Sequence, residues 1–285
     1  MPELPEVETM CRGVAQVVGC RIVGIVRPEC KLKPITITPA LAVFRRRAVG
    51  RTIEQVGRIG KRVVLRLDGS RGDSIVIEPR MTGLVLLAEP PNRDHLRLVF
   101  QLAAGVAAEL MFWDRRGLGV VRLVAADEFE RRYSLGLIGP DALTVTPELL
   151  RERLGASRRE IKVALLDQRG VAGIGNLYAA EILHLAGIHP ARRCHRLKPG
   201  DWQALSRAVV EVLTEAIRYE GSTLSDGTYR NAQNSAGGYQ NHHRVYDRAG
   251  ELCGGCRRET IVRIVQAQRS TFFCPTCQPL GLRRR

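Results

Sequence analysis

Hydrophobic and polar positions change their period twice along the chain. Residues 3–18 place apolar side chains at helical spacing, with Pro2 near the first helical position, which predicts a short amphipathic helix. From about residue 20 to 125, short alternating or apolar runs broken by Gly, Pro and Asp indicate the strands of a sandwich or barrel. Those runs are RIVGIV, RVVLRLD, SIVIE, GLVLLA, HLRLVF, ELMFW and VVRLV.

Helical periodicity dominates the second half. It predicts helices over residues 147–154, 158–168, 176–187 and 199–219, and strand patterning does not return until near residue 244. Residues 221–243 are polar and too poor in apolar side chains to hold a core of their own. They are therefore predicted to form a mobile loop or linker.

Composition adds a partner class to this outline. The 285 residues suffice for two or three folding units, and 45% hydrophobic content excludes a wholly disordered chain. Lys plus Arg is 44 and Asp plus Glu is 29, a net charge of +15 carried mostly by Arg, which favours a nucleic-acid partner. With no long apolar stretch and an acidic start, we expect a cytoplasmic protein outside the membrane.

Four of the eight cysteines form two C-x-x-C pairs near the C-terminus. Two thiolate pairs at this separation suit one tetrahedral Zn²⁺, whose binding would stabilise a segment too small to fold alone. Four thiolates leave no open coordination position, so the metal is expected to be structural. Arg269, at the turn of the hairpin between the pairs, is a candidate phosphate clamp. The expected ligands are Cys253, Cys256, Cys274 and Cys277.

Two further segments have two interpretations each. Gly170, Gly173 and Gly175 precede a predicted helix, which suits either phosphate binding or a tight interhelical turn. Pro2 would become a free secondary amine if Met1 were removed, with a pKa of about 8 that leaves part of it nucleophilic near neutral pH. Composition by itself favours the simpler interpretation, a proline and acidic residues at an ordinary helix start.

A series of motifs spans nearly the whole chain. They are PELPEVET, GK at 60–61, RMTG at 80–83, DRRGLG at 114–119, IKVALLDQRGVAGIGNLYAAE and IVRIVQAQRSTFFCPTCQ. In this order they closely resemble the formamidopyrimidine-DNA glycosylase and endonuclease VIII family of bacterial base-excision repair enzymes. The opening PELPEVE resembles the formamidopyrimidine branch.

The resemblance implies an α+β protein with three parts and DNA bound in the cleft between its halves. Residues 1–132 would form an N-terminal helix and a two-layered β-sandwich. Residues 133–243 would form a helix-two-turn-helix domain with the polar loop as a base-capping segment, and residues 244–285 a zinc-ribbon hairpin. A monomer acting on damaged double-stranded DNA is expected.

The implied activity is removal of oxidised purines, such as 8-oxoguanine and formamidopyrimidines, followed by strand cleavage through β and δ elimination. In the resembling motif Pro2 attacks the sugar, Glu3 protonates the ring oxygen, Glu6 positions these groups and Lys61 contacts the neighbouring phosphate. Taken alone, Lys61 would be expected on a solvated surface.

The resemblance also assigns DNA contacts. Met81 and Arg116, with Leu118 in place of the usual Phe wedge, match residues that fill the gap left by the flipped base, although Met81 alone would suggest core packing. The phosphate-binding positions are Lys162, Asn176, Tyr178 and Arg269, with Glu181 orienting them. The positions expected to bond the base edge are Ser222, Thr223 and Tyr229.

Departures from the family pattern leave two alternatives open. Glu78 stands where the family usually has His, and Arg115, Gly117 and Leu118 alter the usual D-P-R-R-F-G. An oxidised-pyrimidine glycosylase of the endonuclease VIII type, or a damaged-DNA-binding protein with weak turnover, therefore remains possible beside the purine enzyme.

Overall fold

The computed structural model describes residues 2–133 and 136–280, which form two compact units. The first contains the described residues up to 137 together with 217–240, and the second contains 138–216 and the described residues from 241 onward. Met1, whose removal the nucleophile hypothesis requires, lies outside the described residues, as do residues 281–285. Within those described ranges no helix is long and apolar enough to cross a bilayer.

The strands are as follows, in chain order: β1 (Arg21–Val26), β2 (Thr36–Thr38), β3 (Ile53–Ile59), β4 (Arg62–Leu67), β5 (Ser74–Glu78), β6 (Gly83–Leu86), β7 (Leu96–Ala103), β8 (Glu109–Asp114), β9 (Val120–Val124), β10 (Val262–Gln266) and β11 (Arg269–Phe273). The α-helices are α1 (Leu4–Gly13), α2 (Leu41–Ala48), α3 (Ala126–Tyr133), α4 (Pro147–Leu154), α5 (Ile161–Leu165), α6 (Asn176–Leu185) and α7 (Pro199–Arg218).

Two sheets form a β-sandwich in the first unit, which confirms the predicted α+β class. One sheet has the antiparallel order β1-β7-β8-β6, and the other has the order β2-β9-β5-β4-β3, in which only β2 and β9 run parallel. Buried Val, Ile, Leu and Phe side chains from both sheets join α1 in one core. This burial is the main stabilising contribution of the unit.

Helix α1 is shorter than the predicted 3–18. It begins after Glu3 and ends at Gly13, and residues 15–17 form a separate 3₁₀ turn. Its buried face includes Val7 and Met10, as the periodicity predicts. Glycine at the end and the β-branched residues that follow disfavour continuation of the helix.

Four elements were not predicted. β2 has three residues and β3 carries few apolar residues, so neither gives a clear alternating signal. α2 buries only Phe44 and Ala48, and α3 only Phe129 and Tyr133. Two buried positions in eight residues are too few to establish a helical period.

The second unit matches the predicted helices except at α5, which covers Ile161–Leu165 instead of 158–168. Its continuation is prevented where Gln168 Nε2 donates to the carbonyls of Leu166 (3.0 Å) and Ile174 (2.9 Å), which fixes a turn. The return of strands near residue 244 was also wrong, because β10 begins at Val262. The amides of residues 244–246 instead donate to a buried carboxylate.

The polar segment 221–243 is not a linker, contrary to the prediction. Tyr229 is 4% exposed and Ala232 is fully buried, and both join the core of the first unit. The Ala232 carbonyl also accepts hydrogen bonds from the amides of Leu87 and Ala88. Tyr229 and Ala232 therefore anchor the segment although its composition is polar.

Candidate functional site

The start of α1 gathers the predicted acid groups around the N-terminal proline. Pro2 is buried, and Glu3 and Glu6 are 3% and 2% exposed. Glu6 Oε2 accepts the Glu3 amide at 2.8 Å, and Glu6 Oε1 accepts the Ser222 amide at 2.9 Å. Glu6 therefore holds the first residue before α1 and joins it to the backbone at Ser222. This arrangement suits a residue that positions the start of the helix.

Gly221 allows this arrangement. Its φ is +79°, and a Cβ there would lie 2.8 Å from Glu6 Oε1 and 2.9 Å from Glu6 Cγ. A side chain would meet both the positive-φ strain and the carboxylate. Glycine at this position lets the 221–222 backbone reach Glu6.

The three predicted base-edge residues are largely engaged within the protein. Thr223 Oγ1 donates to the Tyr229 carbonyl at 2.8 Å and accepts the Gly237 amide at 2.9 Å. The Tyr229 hydroxyl donates to the Glu220 carbonyl at 2.9 Å, and burial raises the pKa of Tyr229 well above its usual value. Ser222 is 4% exposed. In this conformation Tyr229 is a core residue, and its contact with an extruded base stays a prediction.

Lys61 lies in the β3–β4 turn, half-buried instead of fully solvated. Arg58 Nε donates to Glu8 Oε2 on α1 at 2.9 Å, and its NH1 group donates to the Gly60 carbonyl at 2.9 Å. Burial raises the pKa of Glu8, but hydrogen bonds from Arg58 and Arg12 outweigh it and hold that pKa below its usual range. Arg58 thereby connects the turn that carries Lys61 to α1.

The predicted gap-filling residues lie on two adjoining turns. Met81 is 38% exposed, so core packing does not explain it, while Arg116 is exposed and Leu118 half-buried. The fully buried Asp114 accepts from the Thr82 hydroxyl, the Arg116 amide and the Gly119 amide. These bonds join the 79–83 turn to the 114–119 turn.

Glu78 does not present a negative charge to solvent. It is 7% exposed, and its carboxylate forms ion pairs with Arg122 (2.7 Å), Arg62 (3.2 Å) and Arg80 (3.3 Å). Its antiparallel neighbours β4 and β9 supply the first two of these partners. Glu78, which stands where the family usually has His, is thus surrounded by a cluster of arginines.

Lys162 is a buried cross-link in the second unit instead of an exposed phosphate contact. It is 1% exposed, and its Nζ donates to Asn176 Oδ1 (2.7 Å), the Ser270 carbonyl (3.0 Å) and Thr271 Oγ1 (2.6 Å). These three bonds hold the ammonium group between α6 and β11. Its charge therefore supports the start of α6 and the strand β11.

The glycine-rich segment forms a braced loop before α6. Gly173 N donates to Gln168 Oε1 at 2.9 Å, while Asn176 Nδ2 donates to the Ser270 carbonyl at 3.0 Å. Asn176 keeps partial exposure, but Tyr178 is fully buried. Tyr178 is a core residue in this conformation, and its phosphate contact stays a prediction.

Glu181 is a buried anchor instead of a surface ion-pair partner. Its carboxylate is fully buried and accepts the amides of Arg244, Val245 and Tyr246 at 2.8, 2.9 and 2.8 Å. Burial raises the pKa of Glu181, and the three amide bonds act in the opposite direction. The carboxylate fixes the entry into the zinc segment.

The four predicted cysteines meet at one point. All their sulfur atoms lie within 4.8 Å of one another, with Cys253–Cys277 at 3.8 Å and Cys256–Cys274 at 3.7 Å. Zn–S bonds of about 2.3 Å in a tetrahedron require sulfur separations of about 3.8 Å, so the group fits one structural zinc ion. The ion would join the β10–β11 hairpin, where exposed Arg269 follows the turn, to the Cys253–Cys256 segment.

Comparison with known proteins identifies the family. The formamidopyrimidine-DNA glycosylase N-terminal domain matches residues 1–121, the H2TH domain of the same enzymes matches 138–228, and the zinc finger found in FPG and IleRS matches 250–280. A formamidopyrimidine-DNA glycosylase of Chloroflexus aurantiacus is 42% identical over 279 residues, covering 98% of both chains. This chain belongs to the formamidopyrimidine-DNA glycosylase family.

Solved structures of the family have the same fold. The Thermus thermophilus MutM (FPG) protein aligns with a TM-score of 0.83 and 36% identity, covering 98% of this chain and 100% of that one. A variant of the Lactococcus lactis FPG protein, solved with DNA containing Fapy-dG, aligns with a TM-score of 0.86 and 32% identity, with coverage of 98% and 100%.

Several supporting residues were missed by sequence reasoning. Thr82, Asp114 and Glu8 lie inside three of the formamidopyrimidine-DNA glycosylase motifs, and Arg58 lies close to a fourth. Their contacts join residues 32 and 50 positions apart, which no local pattern predicts. Membership in a motif was the available signal for Thr82, Asp114 and Glu8.

Proposed function

We propose that this chain is a bifunctional DNA glycosylase and AP lyase of base-excision repair. It excises oxidised purines, including 8-oxoguanine and formamidopyrimidines, and cuts the strand by β,δ-elimination. The observation that carries the proposal is the Pro2-Glu3 start held by Glu6, in a chain whose relatives bear the formamidopyrimidine-DNA glycosylase name.

The proposed reaction uses the secondary amine of Pro2 after removal of Met1. Its nitrogen bonds to the sugar C1′ while the bond to the damaged base breaks, and Glu3 gives a proton to the ring oxygen as the sugar opens. The resulting iminium withdraws electrons, which allows loss of the 3′ and then the 5′ phosphate. Glu6 positions the helix start, and Lys61 contacts the phosphate beside the lesion.

The proposed DNA contacts combine exposed groups with buried supports. Met81, Arg116 and Leu118 fill the space of the flipped nucleotide, where a deformable thioether and an arginine suit an irregular, partly polar gap. Arg269 and Asn176 contact phosphates. The burial of Lys162 and Tyr178 supports an indirect role for both. Ser222 and Thr223 meet the base edge only if the 221–243 segment changes conformation.

We propose the domain division 1–132, 133–243 and 244–285, with a catalytic sandwich, a helix-two-turn-helix DNA-binding domain and a zinc ribbon. Binding to damaged double-stranded DNA is supported by solved family complexes with Fapy-dG DNA and with an abasic site and by the net charge of +15. The proposal includes action as a monomer, in a bacterial cytoplasm and at the nucleoid through its DNA substrate.

Reductive trapping tests the proposal. The full chain, with its N-terminal residue determined by mass spectrometry, is incubated with a duplex containing 8-oxoguanine and with borohydride, and a parallel reaction uses thymine glycol. We expect a covalent adduct and strand cleavage on 8-oxoguanine that Pro2→Gly abolishes. Normal trapping by protein that retains Met1 would exclude Pro2 as the nucleophile, and normal trapping by Pro2→Gly would show that the secondary amine of proline is not required. Preference for thymine glycol would exclude the purine assignment.

A further inference from the structure

A buried hydroxyl links the two turns that carry the gap-filling candidates. Thr82 is 3% exposed, and its hydroxyl donates to Asp114 Oδ1 while accepting the Arg116 amide at 3.0 Å. Asp114 Oδ1 also accepts the Arg116 amide at 3.2 Å, and Oδ2 accepts the Gly119 amide at 2.7 Å. Thr82 and Asp114 thus share one backbone donor, the amide of Arg116.

Arg97 holds the backbone at Asp114, where this link begins. Arg97 is 3% exposed; its Nε donates to the Asp114 carbonyl at 2.7 Å, and its NH2 group lies 3.5 Å from the Arg115 carbonyl. The strands below are paired in register, with Gly83 opposite Asp114. The backbone pairing of β6 with β8 ends at Gly83 and Asp114. Beyond this pair, the hydrogen bonds of Thr82 and Asp114 continue to hold the two turns together.

We propose that Thr82 and Asp114 are positioning residues that fix Met81 relative to Arg116 and so set the efficiency and opposite-base selectivity of lesion excision. Met81 directly precedes Thr82, and the Arg116 amide donates hydrogen bonds to both Thr82 and Asp114. This inference rests on the proposed function, in which these two side chains fill the duplex gap. In this proposal both buried residues act through the two turns.

Loss of the hydroxyl has a defined consequence. Thr82→Val keeps the side-chain shape but removes the donor to Asp114 and one acceptor of the Arg116 amide. One hydrogen bond to a charged acceptor corresponds to about a tenfold change in an equilibrium constant. When the ordered turn is required and is the minor population in the variant, a shift by this factor lowers excision by about tenfold.

The test compares matched hydroxyl variants. Thr82→Val removes the bonds, Thr82→Ser retains the hydroxyl, and Ser74→Ala removes a buried hydroxyl that has no hydrogen-bond partner among the described residues of the chain. Single-turnover excision of 8-oxoguanine is measured opposite C and opposite A. We expect an about tenfold loss opposite C and a changed C-to-A ratio for Thr82→Val, with rescue by Thr82→Ser and no change for Ser74→Ala.

The outcomes separate this inference from the proposed function. Wild-type rates and selectivity in Thr82→Val would overturn it, as would a Thr82→Ser variant no better than Thr82→Val. If Thr82→Val does not fold, Thr82→Ala removes the same hydroxyl and is judged by the same criteria. Arg116→Ala tests the gap-filling role separately: unchanged excision in that variant would refute the role of Arg116 itself, whatever Thr82→Val shows.

Discussion

The buried position of Lys162 leads to a prediction about how DNA binding depends on salt. The sequence motif suggested a phosphate contact, but the ammonium group donates to three protein acceptors on α6 and β11 and is 1% exposed. Lys162→Met removes the charge and the three bonds while keeping an unbranched side chain of similar length.

The expected loss of stability follows from those contacts. Each acceptor left without its donor costs about 1 kcal/mol, so three cost about 3 kcal/mol. Removal of a buried charge offsets part of this cost, because the ammonium no longer has to be desolvated. We expect a net decrease of about 2 to 3 kcal/mol in the free energy of unfolding, measured by chemical denaturation.

DNA affinity of the folded variant should fall by a similar factor at every salt concentration. A direct phosphate contact contributes about 0.9 to the slope of log K against log salt, whereas a buried support contributes nothing. Arg269→Ala is the matched control, because exposed Arg269 is proposed to meet phosphate itself. Binding of a lesion-bearing duplex is followed by fluorescence anisotropy across a salt series.

Two results would refute this reasoning. A slope reduced by about 0.9 in Lys162→Met would identify Lys162 as a direct phosphate ligand. An unchanged free energy of unfolding would mean that the three hydrogen bonds are not formed together. An unchanged slope in Arg269→Ala would instead exclude the proposed clamp.

Three further predictions concern charged groups and the metal. Glu78→Gln should lower the free energy of unfolding by about 2 kcal/mol and raise the affinity for undamaged DNA, because the arginine partners of Glu78 lose a counter-ion. Chemical denaturation and DNA-binding assays measure these two effects. No change in either quantity would contradict the prediction. Metal analysis should find one zinc per chain, and chelation should melt the β10–β11 hairpin and weaken DNA binding; full affinity of zinc-free protein would refute the coupling. A hydrogen bond from Arg169 holds the pKa of Asp167 at about 2, so its stabilisation is present above about pH 4 and is lost as pH falls toward 2. NMR titration of Arg169→Ala should show that pKa moving toward its ordinary value, and an unshifted pKa would exclude Arg169 as the cause.

The success of sequence reasoning depended on how strongly each segment was patterned. β5 and β9 were predicted to within a residue because dense β-branched runs ended at polar or glycine positions. β3 was missed because its strand position is fixed by pairing with β4 and not by its own composition. The prediction for the 221–243 segment was wrong because Tyr229 and Ala232 pack into a core whose other residues are distant in the sequence.

The candidate site shows the same division. The motifs identified Pro2, the zinc cysteines and the exposed Arg116. They did not show which of the charged residues are buried. Burial of Lys162 depends on acceptors 108 and 109 positions away, a separation that no local period reports. The departure at Gly117 becomes understandable only in three dimensions: its φ is +61°, and a Cβ would lie 2.0 Å from the Lys33 carbonyl oxygen. The backbone near Lys33 occupies the space that a side chain would need.

Buried polar groups hold three of the groups proposed to react with or contact DNA. Glu6 fixes the Glu3 amide, Asp114 fixes the Arg116 amide, and Lys162 holds Asn176. Each support is less than 3% exposed, so solvent competes little for its hydrogen bonds. An exposed Arg or Asn alone samples many rotamers, whereas a fixed backbone beside it reduces the entropy lost on binding. Substitution of a support should therefore change excision rate and selectivity more than it changes salt dependence, while substitution of an exposed phosphate contact such as Arg269 should do the reverse.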